Sequence, residues 1–358
     1  MNGKERMRRI LKHEPVDRIG LFEHFWSDTH KSWVAQGKMR EDESFADRFG
    51  FDMTHSGNFN MVADLDFVPQ VVDETEDTIA RLDGNGATLR YHKKHNTTPE
   101  HIGFKVNCRE EWESLIKPFL LKPDERRIRF DAYAKAKAEA DAAGRFFCFG
   151  GINVFENIHP MCGHVNMLLG MADDPEWVYD MAMTYARLNV ELQKILFERC
   201  GKPDGMWYFE DMGYKGSPFM SPRMYRELIK PAHVYTINYA KSIGLPVIMH
   251  SCGYVAPLLP DMIDAGIDCL QAIEVKAGMD LVQLHQQYGD RISFMGGIDV
   301  RALYTNDRAT IDAELESKIP LVKQGYNYVL HSDHSIPNTV EFETYEYFIK
   351  KGLELGTY

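Results

Sequence analysis

Met249-His250-Ser251-Cys252-Gly253 is the segment whose residue types and spacing speak most directly of chemistry. It follows a short apolar run and closes on a glycine. In extended backbone, side chains two apart point the same way, so His250 and Cys252 can converge on one ion. An imidazole with a thiolate is a zinc-type pair, and zinc takes four protein ligands, or three and an open position. A hydrogen-bonded histidine beside a buried thiol is the plainer alternative. A second segment, Leu330-His331-Ser332-Asp333-His334-Ser335-Ile336-Pro337, carries two histidines and a carboxylate close together. His334 is the candidate third ligand there, and Asp333 or His331 the candidate acid, base or orienting group. In Tyr208-Phe209-Glu210-Asp211-Met212-Gly213, adjacent carboxylates can bind a metal, accept a proton or fix a hydroxyl. Glu210 is taken as the fourth ligand, with Asp211 as the alternative ligand or a catalytic carboxylate.

These segments lie far apart in the chain, so the fold must gather them. Eight short apolar runs read as strands: Ile19–Phe22, Phe51–Thr54, Phe146–Phe149, Met206–Phe209, Pro246–Met249, Ile267–Leu270, Ile292–Met295 and Tyr326–Leu330. Helical patterns fall between several of them, at Asp131–Ala143, Pro175–Cys200, from Ser221 to about Ile243 with a kink at Pro231, and at Asp307–Gln324 interrupted by Pro320. Strand–helix alternation predicts a parallel sheet covered by helices. Eight such strands predict an α/β fold, a (β/α)8 TIM barrel spanning 1–358 as a single domain. Val71–Lys94 breaks the alternation and reads as a β-hairpin turning at Asp83-Gly84-Asn85-Gly86, an insertion of about 67–108 after the second strand. It is a candidate lid or homodimer contact. No Gly-x-Gly-x-x-Gly follows any strand, which argues against a dinucleotide-binding sheet.

Barrel enzymes place their chemistry at the carboxyl ends of the strands. Those ends carry Glu23 and His24, His55, Asn153, Glu210 and Asp211, His250 and Cys252, Gln271 and Glu274, Asp299, and finally His331, Asp333 and His334. Phe22, Phe25, Trp26, Tyr208 and Phe209 lie near the same ends and can line an apolar pocket. From these, His24, Phe25, Trp26, His55, Asn153 and Tyr208 are the candidate substrate-binding residues. The formal net charge is −12 and no basic run occurs, which argues against nucleic acid as a partner. The six cysteines follow no secreted disulfide spacing. No run of about 18 apolar residues is present, and the basic start of the chain lacks an apolar stretch. The expectation is a cytoplasmic enzyme without a membrane span.

The chain resembles the uroporphyrinogen decarboxylase-like superfamily, a group of TIM barrels. The likeness runs from Arg6-Met7-x-x-Ile10-Leu11 and Pro15-Val16-Asp17-Arg18 through Asp211-Met212-Gly213, His250-Ser251-Cys252-Gly253, Gly296-Gly297-Ile298-Asp299 and Asp333-His334-Ser335-Ile336-Pro337. The decarboxylases of this group need no metal and hold a polycarboxylate with an Arg-Gln-Ala-Gly-Arg motif. Here that region reads Glu23-His24-Phe25-Trp26-Ser27-Asp28, without arginine. The zinc and corrinoid-linked methyltransferases of the group carry His-x-Cys at the end of the fifth strand, as His250 and Cys252 do. Thiol-methylating members add a second cysteine after the last strand, where this chain has His334. The resemblance therefore implies a zinc-dependent methyltransferase that demethylates a methoxylated aromatic or a methylated amine. No Asp-x-His-x-x-Gly corrinoid motif occurs, which implies a separate corrinoid protein as partner. A decarboxylase or other lyase on the same barrel is the alternative.

Overall fold

A computed structural model of the protein describes residues 1–95 and 99–358. All eight expected strands form: β1 (Gly20–Leu21), β2 (Met53–Gly57), β3 (Phe146–Ile152), β4 (Gly205–Phe209), β5 (Val247–Ser251), β6 (Cys269–Ala272), β7 (Ser293–Gly296) and β8 (Tyr328–Leu330). Their order in the sheet is β1-β8-β7-β6-β5-β4-β3-β2, and every pairing is parallel. The strand interiors are buried apolar runs, as parallel sheets covered on both faces require. Several strands run one to three residues past the apolar run that announces them. His250 and Gln271 are consequently strand residues, paired across β5 and β6.

The two ends of the sheet order, β1 and β2, meet through Asp52. Its amide donates to the Leu21 carbonyl at 2.9 Å, and its Oδ2 accepts from the Leu21 amide at 2.8 Å. The buried carboxylate also takes Arg6 Nη1 at 2.5 Å and Arg18 Nη1 at 2.8 Å. Arg6 in turn forks onto Asp17, holding that carboxyl well below the usual range. The basic N-terminal motif is thus a brace for the barrel seam. Removing one partner of a buried pair costs about 3–5 kcal/mol. Asp52→Ala is expected to lose that much, read as a fall in the urea midpoint, whereas Asp66→Ala, which breaks an exposed pair with Arg126, should cost under about 1 kcal/mol.

Helix Pro175–Cys200 forms as its pattern predicts, capped by Asp174. The segment after Ser221 is broken earlier than expected, by a π-helical turn at Tyr225–Ile229 that frees the backbone ahead of Pro231. Pro320 does not interrupt Arg308–Val322, because it sits in the last turn, where little helix follows it. Helix Phe155–Asp173 escapes sequence reading, since Pro160 and Gly163 both read as breakers. The insertion is larger than a hairpin. Four antiparallel strands, Gln70–Glu74, Thr78–Leu82, Ala87–His92 and Glu100–Phe104, follow one another in order. The expected turn at 83–86 joins the middle two, with Asp83 accepting the amides of Asn85 and Ala87. Phe104 packs into the kink at Gly163, where any Cβ would stand 2.5 Å from its ring.

Candidate metal centre and active site

Asp211, His250 and Cys252 come together at the ends of β4 and β5. One ligand atom from each lies within 4.8 Å of the others, the group of this kind among the described residues. Cys252 Sγ is 3.3 Å and Asp211 Oδ1 3.2 Å from His250 Nε2. Asp211 Oδ1 also accepts the Cys252 amide at 2.7 Å, so one loop orients the other. Both loops place a glycine at their contact. Gly253 has φ +80°, and a Cβ on it would meet the Gly213 carbonyl carbon at 2.1 Å. The two backbones touch, and the two motifs behave as one clamp.

The electrostatics favour a cation at this point. Burial works against a charged His250, yet the Cys252 sulfur and Asp211 outweigh it and push the imidazole well above its ordinary value. Burial raises the Cys252 thiol, with His250 opposing. Burial would raise Asp211 as well, but His250 and the Cys252 amide hold it low. Imidazole, thiolate and carboxylate are three donors that suit zinc with its fourth position open.

Which His250 nitrogen faces the cluster follows from a chain of hydrogen bonds. His331 Nδ1 lies 2.5 Å from the Ser332 carbonyl, which can only accept, so Nδ1 carries the proton and Nε2 is bare. The Gln271 atom 3.3 Å from that bare nitrogen must be the amide NH2. Gln271 Oε1 then faces His250 Nδ1, which must donate. His250 Nε2 is therefore the nitrogen turned towards Cys252 and Asp211; without a metal it carries a proton that the Asp211 carboxylate accepts, and a cation would take that proton's place. Outer partners of this kind are worth about 10–100-fold in metal affinity. Gln271→Leu is expected to weaken zinc by that factor in chelator competition, while Gln271→Glu, which keeps the acceptor, should stay near wild type.

Other expected site residues are placed elsewhere, most of them by the alternation of strand side chains. On β4 and its extension, Trp207, Phe209 and Asp211 point into the mouth. The Trp207 ring lies 5.3 Å from His24 and 5.2 Å from His55, and Phe209 5.3 Å from His250. Tyr208 and Glu210 point the other way. Tyr208 reaches Gln193 of helix Pro175–Cys200 and does not line the mouth. Glu210 is not brought to the cluster either: its oxygens accept the amides of Val154, Phe155 and Glu156 and the Nε2 of His233, 2.6 Å away. It anchors the start of helix Phe155–Asp173. Phe25, next to His24, turns outward into a stack with Phe45, ring centres 3.7 Å apart. His334 also lies outside the cluster, its ring 6.0 Å from exposed Trp26. Asp333 is buried and clamps two loops, its oxygens accepting the amides of Val275 and Val300 at 2.8 Å each.

His24, His55 and His331 do meet, in one line across the mouth. His331 Nε2 is 3.2 Å from His24 Nδ1, and His24 Nε2 is 2.9 Å from His55 Nε2. Burial lowers all three, His55 to about 4 and His331 to about 3, so they are neutral imidazoles. Glu23, which sequence reading gave no role, is pushed up to about 8 by burial and lies 3.1 Å from His331 Nδ1. Asn153 is fully buried, and neither atom of its side-chain amide has a partner. A hollow of about 320 Å3 at the opposite end of the barrel, around Lys4, Leu11 and Pro246, contains no histidine or cysteine.

The uroporphyrinogen decarboxylase (URO-D) family model matches residues 173–352, half of the chain. The chain belongs to the uroporphyrinogen decarboxylase family. The matched half supplies strands β4 to β8 and therefore the clamp, Gln271 and His331. Over 90 residues the chain is 36% identical to a methylated-thiol–coenzyme M methyltransferase from Methanosarcina mazei. That match spans 25% of this chain and 23% of the relative. A solved methyltransferase from Methanosarcina mazei superposes over 99% of both chains, with a TM-score of 0.70 at 16% identity, and so shares the fold. The barrel and its family thus agree with what the sequence motifs imply. Among the described residues, no helix is long and apolar enough to cross a membrane.

Proposed function

We propose that the chain is a zinc-dependent methyltransferase. It takes a methyl group from a methylated small molecule, a methoxylated aromatic or a methylated amine, and passes it to a corrinoid carried by a separate protein. The observation that carries this reading is the convergence of Asp211, His250 and Cys252, with His250 Nε2 turned towards its two neighbours. Zinc bound there supplies Lewis-acid polarisation of the leaving oxygen or nitrogen. The protein's own groups do the rest. Gln271 fixes the His250 ring. Trp207 and Phe209 give the mouth aromatic walls. The unpartnered Asn153 amide is a group that a bound ligand can satisfy, since burying such a group unpaired costs free energy. His331 and His24 are neutral imidazoles within reach of each other, suited to relay a proton from solvent towards the departing heteroatom.

The decarboxylase alternative is the weaker reading. The end of β1 presents Glu23 and His24 in place of arginines, and a polycarboxylate would find little positive charge to meet it. The test supplies purified protein with cob(I)alamin and a panel of methoxylated aromatics and methylated amines. Methylcobalamin should form with at least one donor. Its absence across the panel, with carbon dioxide released from carboxylated compounds instead, would turn the assignment to a lyase.

A further inference from the structure

Glu156 stands in the first turn of helix Phe155–Asp173, just past the carboxyl end of β3 and on the same side of the barrel as the clamp. Its amide donates to Glu210 Oε2 at 3.1 Å, and Glu210 is the chain neighbour of Asp211. Its side chain is 22% exposed and makes one hydrogen bond among the described residues, Oε1 accepting His159 Nε2 at 3.2 Å. His159 Nδ1 is buried without a partner, so a proton placed there would find no acceptor. The neutral ring, donating from Nε2, is the form this surrounding favours. No lysine or arginine among the described residues pairs with Glu156.

The other carboxylates near the clamp are engaged. Glu210 holds three amides and His233, Glu274 the Gly253 amide and Lys276, and Asp333 two amides. A zinc ion's two charges are matched by the Asp211 carboxylate and the Cys252 thiolate, which leaves Glu156 with a charge that nothing balances. Burial pushes the Glu156 carboxyl up, the His159 donor opposes, and Asp211 and Glu210 add to the rise. Surroundings that disfavour one more anion favour a cation. Rings stand on the same side. His159 stacks on His164 at 4.0 Å, and Phe219 lies 5.4 Å from both His164 and Tyr214. The Phe219 amide donates to the Met212 carbonyl at 2.9 Å, which sets this wall against the Asp211 loop. Aromatic faces attract ammonium ions, more so where water is partly excluded.

We propose that Glu156 selects the methyl donor, a methylated amine bound as its ammonium ion, with the charge against the Glu156 carboxylate and the rings of Phe219 and Tyr214 beside it. The inference rests on the reading of the mouth as a methyltransferase site and chooses between its two donor classes. The ammonium N–H donates to the carboxylate. When that N–H bond breaks, the proton joins the carboxylate oxygen and the nitrogen keeps the electron pair, becoming the neutral amine that a Lewis acid can polarise. A methoxylated aromatic acid would bring a second anion to the same place, and a neutral ether would leave the carboxylate unbalanced.

The test is calorimetric binding to the full chain as purified, at about pH 8, above the ordinary range of histidine. The probes are N,N-dimethylethanolamine, an ammonium ion under those conditions, its neutral isostere 3-methylbutan-1-ol, and the anion 3-methylbutanoate. We expect the ammonium ion to bind about tenfold or more tighter than the alcohol, and the anion to bind weakest. Glu156→Gln keeps the size of the side chain and an acceptor for His159. It should bring the ammonium ion down to the level of the alcohol and leave the alcohol unchanged. Asp264→Asn removes the same charge from an exposed pair with Arg291 at the opposite end of the barrel, and should leave the preference intact. Equal or absent binding of ammonium ion and alcohol in the wild type would overturn the assignment. So would an undiminished preference in Glu156→Gln, or its loss in Asp264→Asn. Failure of the methyltransferase reading looks different: the preference and its dependence on Glu156 appear, but no methylated amine yields methylcobalamin.

Discussion

Purified protein is expected to carry about one zinc ion per chain, and Cys252→Ser, His250→Ala and Asp211→Asn are each expected to lose it. The three donors lie within 4.8 Å of one another, and among the described residues no further histidine, cysteine or carboxylate joins the group to compensate for a missing one. Outer-shell changes cost about 10–100-fold in metal affinity, and removal of a direct donor should exceed that. The sharper comparison is within the acidic pair. Glu210→Gln should retain its zinc, because Glu210 is spent on three amides and His233. Its deficit should appear instead as a lower unfolding temperature. Elemental analysis beside thermal unfolding separates the two carboxylates. Zinc lost from Glu210→Gln and kept by Asp211→Asn would reverse the assignment.

The second large effect is on stability in mild acid. His24, His55 and His331 are buried with their pKa values lowered, whereas in the unfolded chain each titrates near 6.5. Between pH 6.5 and about 4 the unfolded chain therefore binds protons that the folded chain refuses. Stability follows the difference in bound protons, so it is full above pH 6.5 and is lost as pH falls towards 4. For a group moved as far as His55, the loss between pH 7 and pH 5 is about 2 kcal/mol. Three such groups amount to a large share of the ~5–15 kcal/mol that holds an ordinary domain together. Urea midpoints of metal-free protein at the two pH values measure it. His55→Asn should flatten the slope, and an equally steep slope in that variant would show that other groups carry it.

Much of the barrel was legible because buried parallel strands are short apolar runs, and eight of them stand out. The clamp was legible for the same local reason: His250 and Cys252 are two apart on one strand. The fourth strand was harder. Reading Glu210 and Tyr208 into the mouth put both on the wrong face by one residue, and the alternation that links Trp207, Phe209 and Asp211 was the signal that decides it. Gln271 stood among the strand-end residues without a role, since its importance lies in sitting level with His250 on the next strand, a register that no single segment reveals. The extra strands of the insertion and helix Phe155–Asp173 were hidden by glycine and proline whose purpose, as at Gly163 against Phe104, is tertiary.

The pairing of β1 with β8 also has a meaning in time. Gly20 lies beside Val329 and Leu21 beside Leu330, so the earliest barrel strand hydrogen-bonds to the latest. A ribosome adds about 5–20 residues per second, so β1 waits some tens of seconds for that neighbour. Until then Asp52 holds it from the β2 side. His24 and His331 lie just beyond the ends of those same two strands. The imidazole line is therefore finished last, and a nascent chain released before β8 emerges has a sheet but no active-site mouth.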